Sequence, residues 1–155
     1  MTEQSDERNI PRGEAESRSP GHMLTAISNE MVRLFKEQFG RGPKRARTEF
    51  AGANCIVCIL EDTFTPAERN LAAMGEDQRL RDTRQFFQYA SVTEFVAPVE
   101  RITGRRVRAF MSGLDPHADG MACEVFVLYP DGHEGPSRGD LQHRVRVSDP
   151  ARDTG

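Results

Sequence analysis

Residues 45–61, RARTEFAGANCIVCILE, decide the fold. The segments 45–50 (RARTEF) and 54–61 (NCIVCILE) read as two strands, and Ala51-Gly52-Ala53 followed by Asn54 permits a tight reversal between them. An antiparallel hairpin is the natural outcome. A lone hairpin has little stability in water, so the flanking sequence must supply its cover.

Upstream, Leu24, Ile27, Met31, Leu34 and Phe35 fall on one stripe of a helix over about 23–39, which Gly40 ends. The break GRGPK then leads into the hairpin. Downstream, Thr65, Pro66 and Glu68 form a capping box with proline at the first helical position, predicting a helix over 66–74 closed by Gly75. Leu80, Thr83, Phe87, Ala90 and Ser91 continue into Phe95, Val96, Val99 and Ile102 as one long helical stripe over about 77–103, ended by Gly104. Pro98 lies inside that stripe and predicts a kink near Glu94 or a separate last turn. Beyond it, Val107, Ala109 and Met111 alternate with Arg106, Arg108 and Phe110, and 121–129 (MACEVFVLY) is a dense apolar strand. SGLDPHADG between them is turn chemistry, with Asp115-Pro116 starting the turn. The order α-β-β-α-α-β-β predicts an α+β two-layer sandwich: a four-stranded antiparallel sheet of two hairpins with the helices on one face.

The ends differ from this core. Residues 1–21 and 131–155 are rich in charged residues, Gly, Ser and Pro, and read as disordered tails around one domain over 22–130. Val145 and Val147 offer at most a short edge strand. Residues 22–130 hold 14 basic and 14 acidic side chains, so the net charge of -3 resides in the tails, which argues against a nucleic-acid binder working through a basic face. No run of eighteen apolar residues and no basic-then-apolar leader occurs, so a cytoplasmic location is expected. The cysteines Cys55, Cys58 and Cys123 are an odd number, expected to be reduced. Cys55 and Cys58 form a C-x-x-C within a strand, where positions three apart face opposite sides, so they read as small apolar residues rather than metal ligands.

No G-x-S-x-G, H-E-x-x-H, P-loop or dinucleotide fingerprint is present, and no catalytic residue, metal site or cofactor is assigned. His117 with Asp115 and Asp119 lacks the oxygens of a calcium loop; Asp115 is expected to cap its own turn. The concentrated polar feature is Arg41-Gly42-Pro43-Lys44-Arg45-Ala46-Arg47, cations on a loop entering a strand, a setting suited to an anion or an acidic partner. Arg105, Arg106 and Arg108 join it if the first strand lies beside the third. The competing expectation is a solvated face neutralised by Glu49, Glu61 and Glu124.

The strings ISNEMVRLFKEQFGRGPKRARTEF, EDTFTPAERNLAAMG, EFVAPVERITGRRVRAFMSGLDP and CEVFVLYP, collinear over about 26–130, resemble the bacterial MpsC family, named for a component of a sodium-translocating, membrane-potential-generating system. Pro98, Cys55 and Cys58 depart from the usual pattern of that family. The resemblance implies a cytoplasmic, non-enzymatic accessory or regulatory component of a system linked to cation or bicarbonate transport. Such a component is expected to be a homodimer, to touch the inner membrane only through transporter subunits, and to dock through the Arg41–Arg47 loop and the turn carrying Ser112, Asp115 and Pro116. The alternative is a small-anion or nucleotide-binding enzyme that uses the same arginines with His117 or Asp115 as acid or base.

Overall fold

The computed structural model describes residues 19–141; the expected N-terminal tail, save its last residues, and the Val145–Val147 alternation lie outside the described residues. The elements are α1 (Pro20–Phe39), β1 (Arg45–Phe50), β2 (Cys55–Glu61), α2 (Pro66–Ala73), α3 (Asp77–Ala90), α4 (Val92–Thr103), β3 (Val107–Asp115) and β4 (Met121–Leu128). The four strands form one antiparallel sheet in the order β1-β2-β4-β3, the α+β architecture that the element order implies. The two hairpins meet through β2 and β4, with Cys58 opposite Glu124. Consequently β1 and β3 are the two edges, and the expected merging of the arginines at 41–47 with those at 105–108 does not occur.

Local chemistry sets the element boundaries. The Ser19 side chain accepts the His22 N–H to start α1, and Gly40 ends it at φ 74°, a left-handed cap where glycine carries no steric cost. Helix α2 has the complete capping box: Thr65 Oγ1 accepts from Glu68 N, and Glu68 Oε1 accepts from Thr65 N at 3.0 Å. The anticipated long helix is instead two. It breaks at Ser91, which closes α3 and opens α4, while Pro98 sits unbroken inside α4 with its ring buried. The break lets α3 pack on β3 while α4 packs on both α1 and β3.

Strand β3 departs from simple alternation. Register shifts between Val107, opposite Leu128, and Ala109, opposite Val127, so Arg108 is an extra residue in the edge strand. Val107 and Phe110 therefore both face the helices, whereas Ala109 and Met111, expected to share the face of Val107, look outward. The same shift turns Ser112 inward.

The core lies between the helices and the inner sheet face: Ile27, Met31 and Phe35 from α1 and Phe95, Val96 and Val99 from α4 pack on Ile56, Leu60, Phe110, Phe126 and Leu128. Phe95 stacks on Phe110 with centroids 5.7 Å apart, and Phe110 meets Phe126 at 5.2 Å. Each such side chain, moved from water to this interior, contributes roughly 1.5–3 kcal/mol. Past β4, the segment around Ser137–Gly139 lies against α4, where Ser137 Oγ donates to Glu100 Oε1 at 2.8 Å and Thr93 Oγ1 donates to the Gly139 carbonyl at 3.0 Å.

Candidate functional site

The sequence stripe places Thr83 and Phe87 on the inner face of α3, but the helix is rotated: Leu80, Arg84 and Gln88, four residues apart, are its buried positions, while Phe86 and Phe87 are exposed. Burying an arginine requires partners that replace water. Glu68 supplies them, accepting from Arg84 Nε at 2.6 Å through Oε2 and from Nη2 at 2.8 Å through Oε1. Nη2 also donates to the Thr63 carbonyl at 2.8 Å. The guanidinium lies over the Phe39 ring, 3.8 Å from its centroid, a geometry that favours a cation. Glu68 thus both caps α2 and holds Arg84. Burial pushes the Glu68 pKa up, but the Arg84 contacts and the bond from Thr65 prevail and leave it below the usual carboxylate range.

Arg84 is only 3% exposed and Gln88 2%, yet Arg84 Nη1 and Gln88 Oε1 have no hydrogen-bond partner among the described residues. Both residues line a partly open cavity of about 180 Å3, together with Arg81 and Gln85 on α3 and Ser112, Gly113 and Leu114 on β3. Behind Ser112 stands Glu124, with no exposed surface. Ser112 Oγ donates to its Oε1 at 3.0 Å, and its Oε2 is unpartnered. Burial without a full set of donors holds the Glu124 carboxyl well above its ordinary range, against the smaller opposing effects of Ser112 and Arg84.

Glu124 belongs to a polar row that crosses the inner sheet face. Ser112 lies opposite Glu124, Glu124 opposite Cys58, and Cys58 opposite Thr48, whose hydroxyl is 2.7 Å from that of Ser28 on α1. Burial raises the Cys58 thiol to about 11, partly offset by its bond with Thr48. This row and the cavity are the most concentrated buried polar chemistry among the described residues.

The residues singled out from the sequence are distributed differently. Arg41 is committed to the fold: its Nη1 donates to the Asp62 and Phe64 carbonyls at 2.8 and 2.7 Å, and Nη2 pairs with Asp62 at 3.3 Å. Gly42 packs near Val32 and Lys36, and Pro43 belongs to the same connection. Lys44 Nζ reaches Asp62 at 3.0 Å, and Arg69 pairs with it too. Hydrogen bonding from Lys44, then from Arg41, holds Asp62 down at about 2 despite opposing desolvation. Arg45 is exposed, 3.9 Å from Glu61. Arg105 ties the start of β2 to the end of β4 through the Ala53 and Tyr129 carbonyls and Asn54 Oδ1, and exposed Arg106 reaches the Gly135 carbonyl at 3.5 Å. These two lie at the corner of the sheet diagonal to Arg45, since β1 begins at the end where β4 begins and β3 begins at the other.

Asp115 caps its turn by accepting the His117 N–H at 2.9 Å; Pro116 is buried, and exposed His117 pairs with Asp77 at 2.6 Å. Among the described residues, no group of three His, Cys, Asp or Glu side chains is placed to hold a metal ion. Cys55 and Cys58 lie on opposite sheet faces, as their spacing requires.

A family model described as MpsC, Na+-translocating membrane potential-generating system, matches residues 19–129. The chain belongs to the MpsC family. The match takes in α1, the whole sheet and the cavity between α3 and β3, so the polar row is part of the MpsC domain. No curated protein and no solved structure matches the chain. No helix among the described residues of this MpsC member is long and apolar enough to cross a membrane.

Proposed function

We propose that this chain is a cytoplasmic, non-enzymatic accessory component of a Na+-translocating, membrane-potential-generating system, and that it docks on a membrane subunit of that system through the outer face of its sheet. Family membership supports the system. The docking surface rests on one observation: the sheet face opposite the helices is apolar at its centre and bears no element of the described chain. Successive rows across it read Glu49-Val57-Val125-Met111 and Arg47-Ile59-Cys123-Gly113, flanked by Cys55, Val127 and Ala109. From the spacing of strands and residues, this apolar centre covers on the order of 300 Å2, comparable with the largest apolar patch of a typical monomer, which is often functional.

Arg45 and Arg47 stand at one margin of this face, beside a hollow of about 210 Å3 lined by Arg47, Glu49, Phe50, Val57 and Ile59. Glu49 and Glu61 lie beside these arginines on the same face, so an apolar centre with a margin of mixed charge fits a partner segment that is apolar and flanked by residues of both signs. The arginine stretch thereby contributes through Arg45 and Arg47, whereas Arg41 serves the fold. Coupling to ion movement would be a binding free energy that favours one state of the membrane subunit.

The test is a crosslinking pull-down of the tagged full chain from native membranes, comparing wild type with Val125→Glu. Wild type should recover an integral-membrane subunit and the variant should lose it while keeping its melting temperature within a few degrees. Equal recovery by both, or no membrane subunit with either, overturns the proposal. A wild-type dimer that Val125→Glu converts to monomer in light scattering would assign the face to a second copy and overturn it as well.

A further inference from the structure

We infer that the cavity between α3 and β3 is a binding site for a small organic carboxylate bearing a neighbouring hydrogen-bond donor, such as a 2-hydroxy acid, held by Arg84, Arg81 and Gln88. The argument starts from the two orphaned atoms. Arg84 spends Nε and Nη2 on Glu68 and Thr63, which leaves both Nη1 hydrogens unsatisfied in a residue 3% exposed. Gln88, one turn further along the same face, leaves Oε1 without a donor at 2% exposure. Buried polar groups in folded proteins are almost always bonded, and each exception calls for an explanation. Here a donor and an acceptor, both unsatisfied, belong to residues lining one cavity of about 180 Å3, larger than a single water needs.

The charge balance selects the ligand. Arg84 is neutralised by Glu68, burial favours the neutral form of Glu124 behind Ser112, and Arg81 at the rim forms no ion pair among the described residues, so the site carries one positive charge in excess. A monoanion matches it. Carboxylate oxygens accept from the guanidinium hydrogens, and Gln88 Oε1, one helical turn along, calls for a donor on the same small molecule, which acetate lacks. Inorganic phosphate has a P–OH donor too, but near neutral pH it carries between one and two negative charges, more than the single excess positive charge matches. The Ser112 hydroxyl, which donates to Glu124, has lone pairs free to accept a second hydrogen from the ligand.

The test measures melting temperature and calorimetric binding for the full chain with glycolate, lactate, acetate and inorganic phosphate, each at up to 10 mM. Glycolate or lactate should raise the melting temperature by several degrees when far above Kd and should bind about tenfold more tightly than acetate, the worth of one well-formed hydrogen bond. Gln88→Leu removes a buried acceptor that has no partner, so the free variant should melt no lower than wild type while losing the preference over acetate. Arg81→Ala, at an exposed position, should weaken both carboxylates and leave the fold unchanged. No response to any probe means that ordered water alone occupies the cavity and overturns the inference. So does tighter binding of phosphate, or full retention of the hydroxy-acid preference in Gln88→Leu.

Discussion

Replacing Glu124 by glutamine isolates the energetic consequence of a carboxyl placed inside the sheet layer. Glu124 has no exposed surface, one hydrogen bond from Ser112, and a second oxygen without a partner. Burial raises its pKa well above the value of 4.5 it has when unfolded. Between those two values the folded chain holds a proton that the unfolded chain has released, so wild-type stability falls as pH rises, by up to about 1.4 kcal/mol per pH unit. Below the unfolded value both states are protonated and the contribution is constant. Glutamine keeps the shape and cannot ionise. The difference in unfolding free energy, variant minus wild type, should therefore be flat below about pH 4 and climb with a slope approaching 1.4 kcal/mol per unit above pH 5. Urea unfolding of both proteins at half-unit steps from pH 4 to 8 reads this directly, because all other titrating groups cancel in the difference. A flat difference across that range would refute the reasoning, since it would mean that the carboxyl ionises equally readily in both states.

The opposite sign is expected at Asp62, whose pKa is held at about 2 by Lys44, Arg41 and Arg69: its stabilisation is full above its ordinary value of 3.8 and is lost as pH falls from there towards 2. Asp62→Asn should remove that limb of the acid-unfolding curve, as followed by circular dichroism. Gly120→Ala should destabilise by roughly 3 kcal/mol or more, because φ is +70° and the added Cβ would lie 2.6 Å from the Phe64 ring; calorimetry measures it, and a loss below 1 kcal/mol would contradict the packing. In native protein at pH 8, a thiol reagent should spare Cys58, which is buried and raised to about 11, and modify it only on unfolding; peptide mapping identifies the labelled residue.

Much of the fold was legible in the chain. Gly40, the Thr65-Pro66-Glu68 box and Gly104 act within a turn of the residues they terminate, so their effects follow from neighbours in sequence. Period-two patterning in β2 and β4 likewise states which residues share a face. It also places Glu124 beside Ala122, Phe126 and Leu128, so a buried carboxylate was visible in the strand, although its charge suggested an outward partner for arginine.

What tertiary structure alone decided is the placement of polar groups. Arg84 is tolerated inside because Glu68, sixteen residues away, neutralises it and the Phe39 ring lies against it. The extra residue Arg108 turns Ser112 towards Glu124, and the pairing of β2 with β4 sets Cys58 beside them while sending β1 and β3 to opposite edges. Short-range steric and capping terms make the elements readable from sequence, whereas the cost of burying a charge depends on which distant groups surround it, and those are known only once the elements have packed.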